Sequence, residues 1–122
     1  MEERKLGLVE GRFADLIWQN APMTTKELVE LCTKELNWKR TTTYTVLKKL
    51  CSQGIFRTEN GEVTVCVSRE DFYAIQSERF VEETFDGSLP AFIAAFASRK
   101  KPSEAELLEI RRMLDAFEEG SS

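Results

Sequence analysis

The sequence predicts a mostly α-helical chain with a small β-hairpin wing: a winged helix-turn-helix over residues 1–68, followed by a C-terminal helical dimerisation region over residues 69–122. Three observations predict it. Helical periodicity recurs in separate blocks between clear stop signals. The pair Asn60-Gly61 sits between two short β-prone runs. The stretch from Leu36 to Thr58 carries Lys39, Arg40, Lys48, Lys49 and Arg57 and no acid, a local charge of +5 in a chain whose net charge is −4.

The elements follow in order. The first helix is expected over Val9 to Gln19, with Leu8, Phe13, Leu16 and Ile17 toward the core and Trp18 adding aromatic bulk. Asn20-Ala21-Pro22 ends it, because proline disfavours helix in the residue before it. Thr24-Thr25-Lys26-Glu27 has the form of a capping box and opens a second helix over Thr25 to Leu36, with Leu28, Leu31, Cys32 and Leu36 as its buried stripe. A turn at Asn37-Trp38 leads to a third helix over Arg40 to Gln53, stopped by Gly54. Strands over Ile55 to Thr58 and Val63 to Val67 flank the Asn-Gly centre expected of a type I′ hairpin.

Beyond the wing, Ser68 caps a long helix, about Arg69 to Phe85, broken by Asp86-Gly87. Pro90 stands in the tolerated first turn of the apolar segment AFIAAFA. After Arg99-Lys100-Lys101-Pro102, a second capping box, Ser103 to Glu106, opens a last helix with Leu107, Ile110, Leu114 and Phe117 at heptad-like spacing. Gly120-Ser121-Ser122 reads as a frayed end.

The third helix carries the chemistry. With Thr41 at zero and about 100° per residue, Thr45 falls at about 40°, Lys48 at about 340° and Ser52 at about 20°, flanked by Thr42 and Lys49. Val46, Leu47 and Leu50 occupy the opposite side. A face with hydroxyls toward its N-terminal end and lysines toward its C-terminal end suits the major groove of double-stranded DNA. Threonine can donate, accept or set its methyl against thymine, and lysines bind phosphate. The candidate DNA-binding residues are Thr25, Lys26, Lys39, Arg40, Thr41, Thr42, Thr45, Lys48, Lys49 and Arg57. Glu59 and Glu62 at the wing tip oppose deep insertion beside phosphates, so the wing is expected to contribute weakly.

Composition excludes several classes. The chain has no histidine, which removes the commonest general base and metal ligand, and it has no glycine-rich phosphate loop; an enzyme is not expected, nor a cofactor. Cys32, Cys51 and Cys66 lack CxC or CxxC spacing and sit in apolar patterns, which reads as small core residues, with a metal or redox role as the alternative. No apolar run approaches the ~20 residues of a membrane span, and MEERKLGLVE lacks the apolar stretch of a signal peptide, so no membrane insertion and a cytoplasmic location are expected.

The C-terminal region concentrates six of the eight phenylalanines: Phe72, Phe80, Phe85, Phe92, Phe96 and Phe117. Appended to a complete winged helix, that much apolar surface predicts a homodimer interface, with Phe72, Ile75, Phe80, Phe85, Phe92, Phe96, Leu107 and Leu114 as its candidate residues. A compact monomer with the tail folded back is the alternative.

Several motifs together resemble a known family. Glu10 with Leu16-Ile17-Trp18, then Trp38, Thr42, Thr45, Leu47, Leu50 and Gly54, then Phe85-Asp86-Gly87-Ser88 before AFIAAFA, resemble in order and spacing the BlaI/MecI/CopY-type penicillinase repressors, winged-helix transcriptional regulators. The resemblance implies a homodimeric, sequence-specific repressor on a dyad operator. In antibiotic-responsive members a membrane sensor-protease system triggers cleavage inside the dimerisation helix; the matching bond here is Ala95–Phe96, with alanine where the proteolysed members carry asparagine. Copper-responsive members end in a Cys-rich tail, whereas no cysteine follows Cys66 here. A winged-helix module that holds a protein instead of DNA, and a metal- or redox-responsive regulator using its cysteines, are the other readings of the same residues.

Overall fold

The computed structural model describes residues 6–120; Met1 to Lys5 and the last two residues of the expected frayed end, Ser121 and Ser122, lie outside the described residues. The order is α1 (Leu8–Asn20), β1 (Met23–Thr24), α2 (Thr25–Leu36), α3 (Arg40–Ser52), β2 (Phe56–Glu59), β3 (Glu62–Val65), α4 (Arg69–Phe85), α5 (Leu89–Arg99) and α6 (Glu104–Gly120). Among the described residues, six helices and one small antiparallel sheet make a winged helix with C-terminal helices, as predicted. The sheet order is β1-β3-β2, with Met23 opposite Val63 and Phe56 opposite Val65.

The two-residue β1 has no counterpart in the sequence reading. Two residues carry no periodicity, and their strand character comes entirely from pairing with β3. β1 leads directly into α2. The capping box forms as expected: the Glu27 amide donates to Thr24 Oγ1 at 3.0 Å, and the Thr24 amide donates to Glu27 Oε1 at 2.8 Å. The Thr24 amide, with its hydroxyl beside it, stabilises the ionised carboxylate and holds the Glu27 pKa below its ordinary value. Asn60 and Gly61 both adopt positive φ, 53° and 76°, which the type I′ turn requires. Gly54, at φ 80°, turns the chain out of α3 into β2.

Contacts within the chain define two compact units, Met1–Arg79 and Phe80–Ser122, so the division falls inside α4 and not at the end of the wing. The reason is Phe72. Expected as an interface residue, it is 1% exposed and belongs to the core of the first unit with Phe13, Ile17, Leu28, Leu50 and Phe56. Its ring lies 5.8 Å from that of Trp18. Trp18 in turn donates its indole N–H to the Val67 carbonyl at 3.0 Å, anchoring the chain as it leaves the wing. Phe72 is therefore already used inside its own chain. Leu8 also departs from expectation: it lies about 140° from Phe13 around α1 and is 87% exposed.

In the second unit the Phe80, Phe85 and Phe92 rings meet edge to face, with centroids 5.7 to 5.9 Å apart. Ser88 caps α5 by accepting from the Ala91 amide at 3.1 Å. The Ser103–Glu106 box opens α6 as expected, with bonds of 3.1 and 2.9 Å. No described residue of α5 or α6 is buried.

Candidate nucleic-acid interface

α3 is oriented by its apolar side. Leu47 and Leu50 are buried, as is Thr43, whose hydroxyl donates to the Lys39 carbonyl at 3.3 Å. The opposite side therefore faces out: Arg40, Thr41, Thr42, Thr45 and Lys48 are all exposed, as is Lys39 at the helix N-cap. Thr45 donates its hydroxyl proton to the Thr41 carbonyl at 2.9 Å, which leaves its methyl and oxygen lone pairs presented outward. No acid occupies the first turn, and two cations, Lys39 and Arg40, stand there instead. Cations at a helix N-terminus oppose the helix dipole. The arrangement is unfavourable for an isolated helix and favourable for one that approaches an anion.

The lysines that look equivalent in sequence differ in space. Lys48 is exposed and forms no ion pair among the described residues. Lys49 reaches back across the fold to Glu10 on α1, Nζ to Oε2 at 2.6 Å. The hydrogen bond from Lys49 holds the Glu10 carboxyl below the usual carboxylate range. Lys49 is thus partly neutralised and ties α3 to α1.

The start of α2 lies against the wing: the Thr25 amide donates to the Gly61 carbonyl at 2.9 Å, while Lys26 stays exposed. Arg57 on β2 is ion-paired with Glu59 two residues along the same strand. That pair and exposed Glu62 agree with a wing that adds little positive charge.

The sequence signal for Tyr44 is only its spacing of four residues from Arg40, which places the two side by side on a helix. The Arg40 guanidinium sits over the Tyr44 ring at 5.5 Å. The neighbouring Thr25 side chain of α2, with the Arg40 charge, draws the Tyr44 pKa below the ordinary tyrosine value.

The cysteines differ in burial, and Cys51 lies near enough to Cys66 to feel its charge. Cys32 is fully buried and Cys51 half-buried, and burial pushes both thiols above their ordinary pKa; Cys66, expected in the core, is instead exposed at the end of the wing. A buried, high-pKa thiol is a poor nucleophile and ligand, which fits packing. Among the described residues no group of three or more Cys, Asp or Glu side chains is placed to hold a metal ion.

An exposed, acid-free helix presented by a helix-turn-helix with a β-hairpin wing defines a winged-helix DNA-binding protein. Residues 6–116 match the family model of the penicillinase repressors, and the chain belongs to that family of transcriptional repressors. It is also similar to a penicillinase repressor of Bacillus licheniformis, 23% identical over 104 residues that cover 82% of this chain and 81% of the relative. Among the described residues no helix is long and apolar enough to cross a membrane.

Proposed function

We propose that the protein is a sequence-specific repressor that binds a dyad operator as a homodimer, with the exposed Thr41/Thr45/Lys48 face of α3 in the major groove of each half-site. The observation that carries the DNA-reading part is that face itself: outward hydroxyls and an exposed lysine, on a helix whose opposite side is buried. Thr25, Lys26, Lys39 and Arg40 lie at the end of the helix pair that meets the sugar-phosphate backbone.

Support for the homodimer comes from the second unit. Leu89, Ile93 and Phe96 share one side of α5 and are 51 to 54% exposed. On α6, Leu114 and Phe117 are 52 and 63% exposed. An apolar hollow of about 350 Å³ opens between the two helices, lined by Phe92, Phe96, Leu107 and Ile110 among others. So much contiguous apolar surface marks an interaction site, and a second copy presents the matching surface. Of the interface residues expected from sequence, Phe80, Phe96 and Leu114 are exposed, Ile75, Phe85, Phe92 and Leu107 are half-buried, and Phe72 is withdrawn into the first unit.

Release by proteolysis at Ala95–Phe96 belongs to the same reading. Both residues are exposed on α5, and a cut there would divide the proposed interface while sparing the DNA-facing helix. The membrane sensor-protease system is the proposed source of that cut. The test is direct. The full chain should sediment at about twice 14.0 kDa and bind a duplex selected from a randomised pool with steep salt dependence. A monomer, or salt-insensitive binding, overturns the proposal.

A further inference from the structure

The DNA-facing surface has a member that neither its charge nor its hydroxyls would reveal. On the same helical projection of α3, Tyr44 stands at about 300°, between Lys48 at about 340° and Arg40 at about 260°, at the border between the polar face and the buried sector of Leu47 and Leu50. It is 37% exposed, so it is not a core residue. Two neighbours use it. The Arg40 guanidinium lies over its ring, 5.5 Å from the centroid. Its phenol is influenced by the side chain of Thr25, the first residue of α2, whose amide is bonded to Gly61 at the wing tip. The ring therefore sits where α2, α3 and the wing converge.

We infer that Tyr44 is a positioning residue for DNA binding: its ring seats the Arg40 guanidinium at the N-terminal edge of α3, so that Arg40 meets a backbone phosphate beside the groove. Arginine stacks well on an aromatic face and still offers its edge N–H groups to an acceptor. An unseated arginine on an exposed first turn would have to be ordered at the moment of binding, and that lost freedom would weaken the complex. The Arg40 guanidinium already lies over the ring in the free protein, so the seat is defined before DNA arrives.

The inference rests on the DNA-binding reading, and the experiment separates the two. The full-length wild type, Arg40→Ala, Tyr44→Ala, Tyr44→Leu, Tyr44→Phe and the Arg40→Ala/Tyr44→Ala double variant are titrated against a duplex selected from a randomised pool by the wild type, and against a scrambled duplex, over a range of salt. Arg40→Ala and Tyr44→Ala should each weaken binding to both duplexes about tenfold and lower the salt slope by about one. Because Tyr44 acts through Arg40, the double variant should be no weaker than either single variant. Tyr44→Leu, which keeps apolar bulk without a ring face, should repeat the Tyr44→Ala loss, and it guards against misfolding as the cause. Tyr44→Phe keeps the seat and should lose no more than about threefold. Losses that multiply in the double variant overturn the inference. So does a Tyr44→Ala effect confined to the selected duplex, which would make Tyr44 a base-reading residue, and so does wild-type affinity in Tyr44→Ala. A wild type that binds neither duplex overturns the DNA-binding reading, and this inference with it.

Discussion

The first compact unit, up to Arg79, fully buries Phe13, Phe56 and Phe72 together with Ile17, Leu28 and Leu50. From Phe80 to Gly120 no residue is buried, and Ile93, Phe96, Leu114 and Phe117 remain about half exposed or more. Both regions are helical and rich in phenylalanine, so content and composition do not separate them. The difference is closure. Three helices pack around a sheet in the first unit, and their apolar sides meet. The end of α4 and α5 share a ring cluster, and α5 and α6 enclose a hollow, but one apolar side of these helices stays uncovered. A region that cannot close its own core is built to be completed from outside.

The strongest test of that contrast attacks the second unit alone. Expressing residues 1–95 should leave a folded first unit, abolish dimerisation and reduce affinity for a dyad duplex by about 10² to 10⁴, because the second half-site no longer enjoys a raised effective concentration. Sedimentation and operator titration on the same sample check both effects. A fragment that still dimerises and binds like the full chain would show that the uncovered face is not the interface and that a cut at Ala95–Phe96 is no switch.

Next come two phenylalanines, similar in sequence and opposite in space. Phe72→Ala should destabilise the first unit by about 3–5 kcal/mol, the cost of a large cavity in a closed core. Phe96→Ala should leave that stability nearly unchanged and weaken self-association. Denaturant unfolding paired with sedimentation distinguishes them, and equal effects on both readouts would erase the contrast.

The two lysines of α3 give a smaller separation. Lys48→Ala should weaken selected and scrambled duplexes alike and lower the salt slope by about one. Lys49→Ala should change that slope less, since Lys49 already neutralises Glu10. By contrast, Thr45→Ala should lower discrimination between the two duplexes by about 1–3 kcal/mol if a base contact is lost.

The smallest effect is the Glu10–Lys49 pair itself. An exposed pair is worth about 0.2–1 kcal/mol at most. The Glu10 pKa is depressed in the folded chain, so its contribution is present above the unfolded value of 4.5 and is lost as pH falls through the lower folded value. Glu10→Gln should therefore cost a fraction of a kcal/mol in thermal or denaturant stability at neutral pH and nothing once the carboxylate is protonated. A stability difference that persists in acid would point to packing.

Much of this molecule was written locally. The capping boxes at Thr24 and Ser103, the Asn60-Gly61 turn, the stop at Gly54 and the break at Asp86-Gly87 are short-range chemistry, decided by a few adjacent residues, and they form as the sequence predicts. So does the polar side of α3, because a helical period is visible without a partner. The family could also be read from the order and spacing of those motifs. Tertiary structure decided what depends on distance along the chain. Whether Phe72 belongs to a core or an interface turns on Trp18, which lies far earlier, on α1. Whether Lys49 meets phosphate or carboxylate turns on Glu10, also remote in sequence. Two-residue β1 exists only because β3 pairs with it. Periodicity tells which side of a helix is apolar; only the folded chain tells what that side, or a charge beside it, will meet.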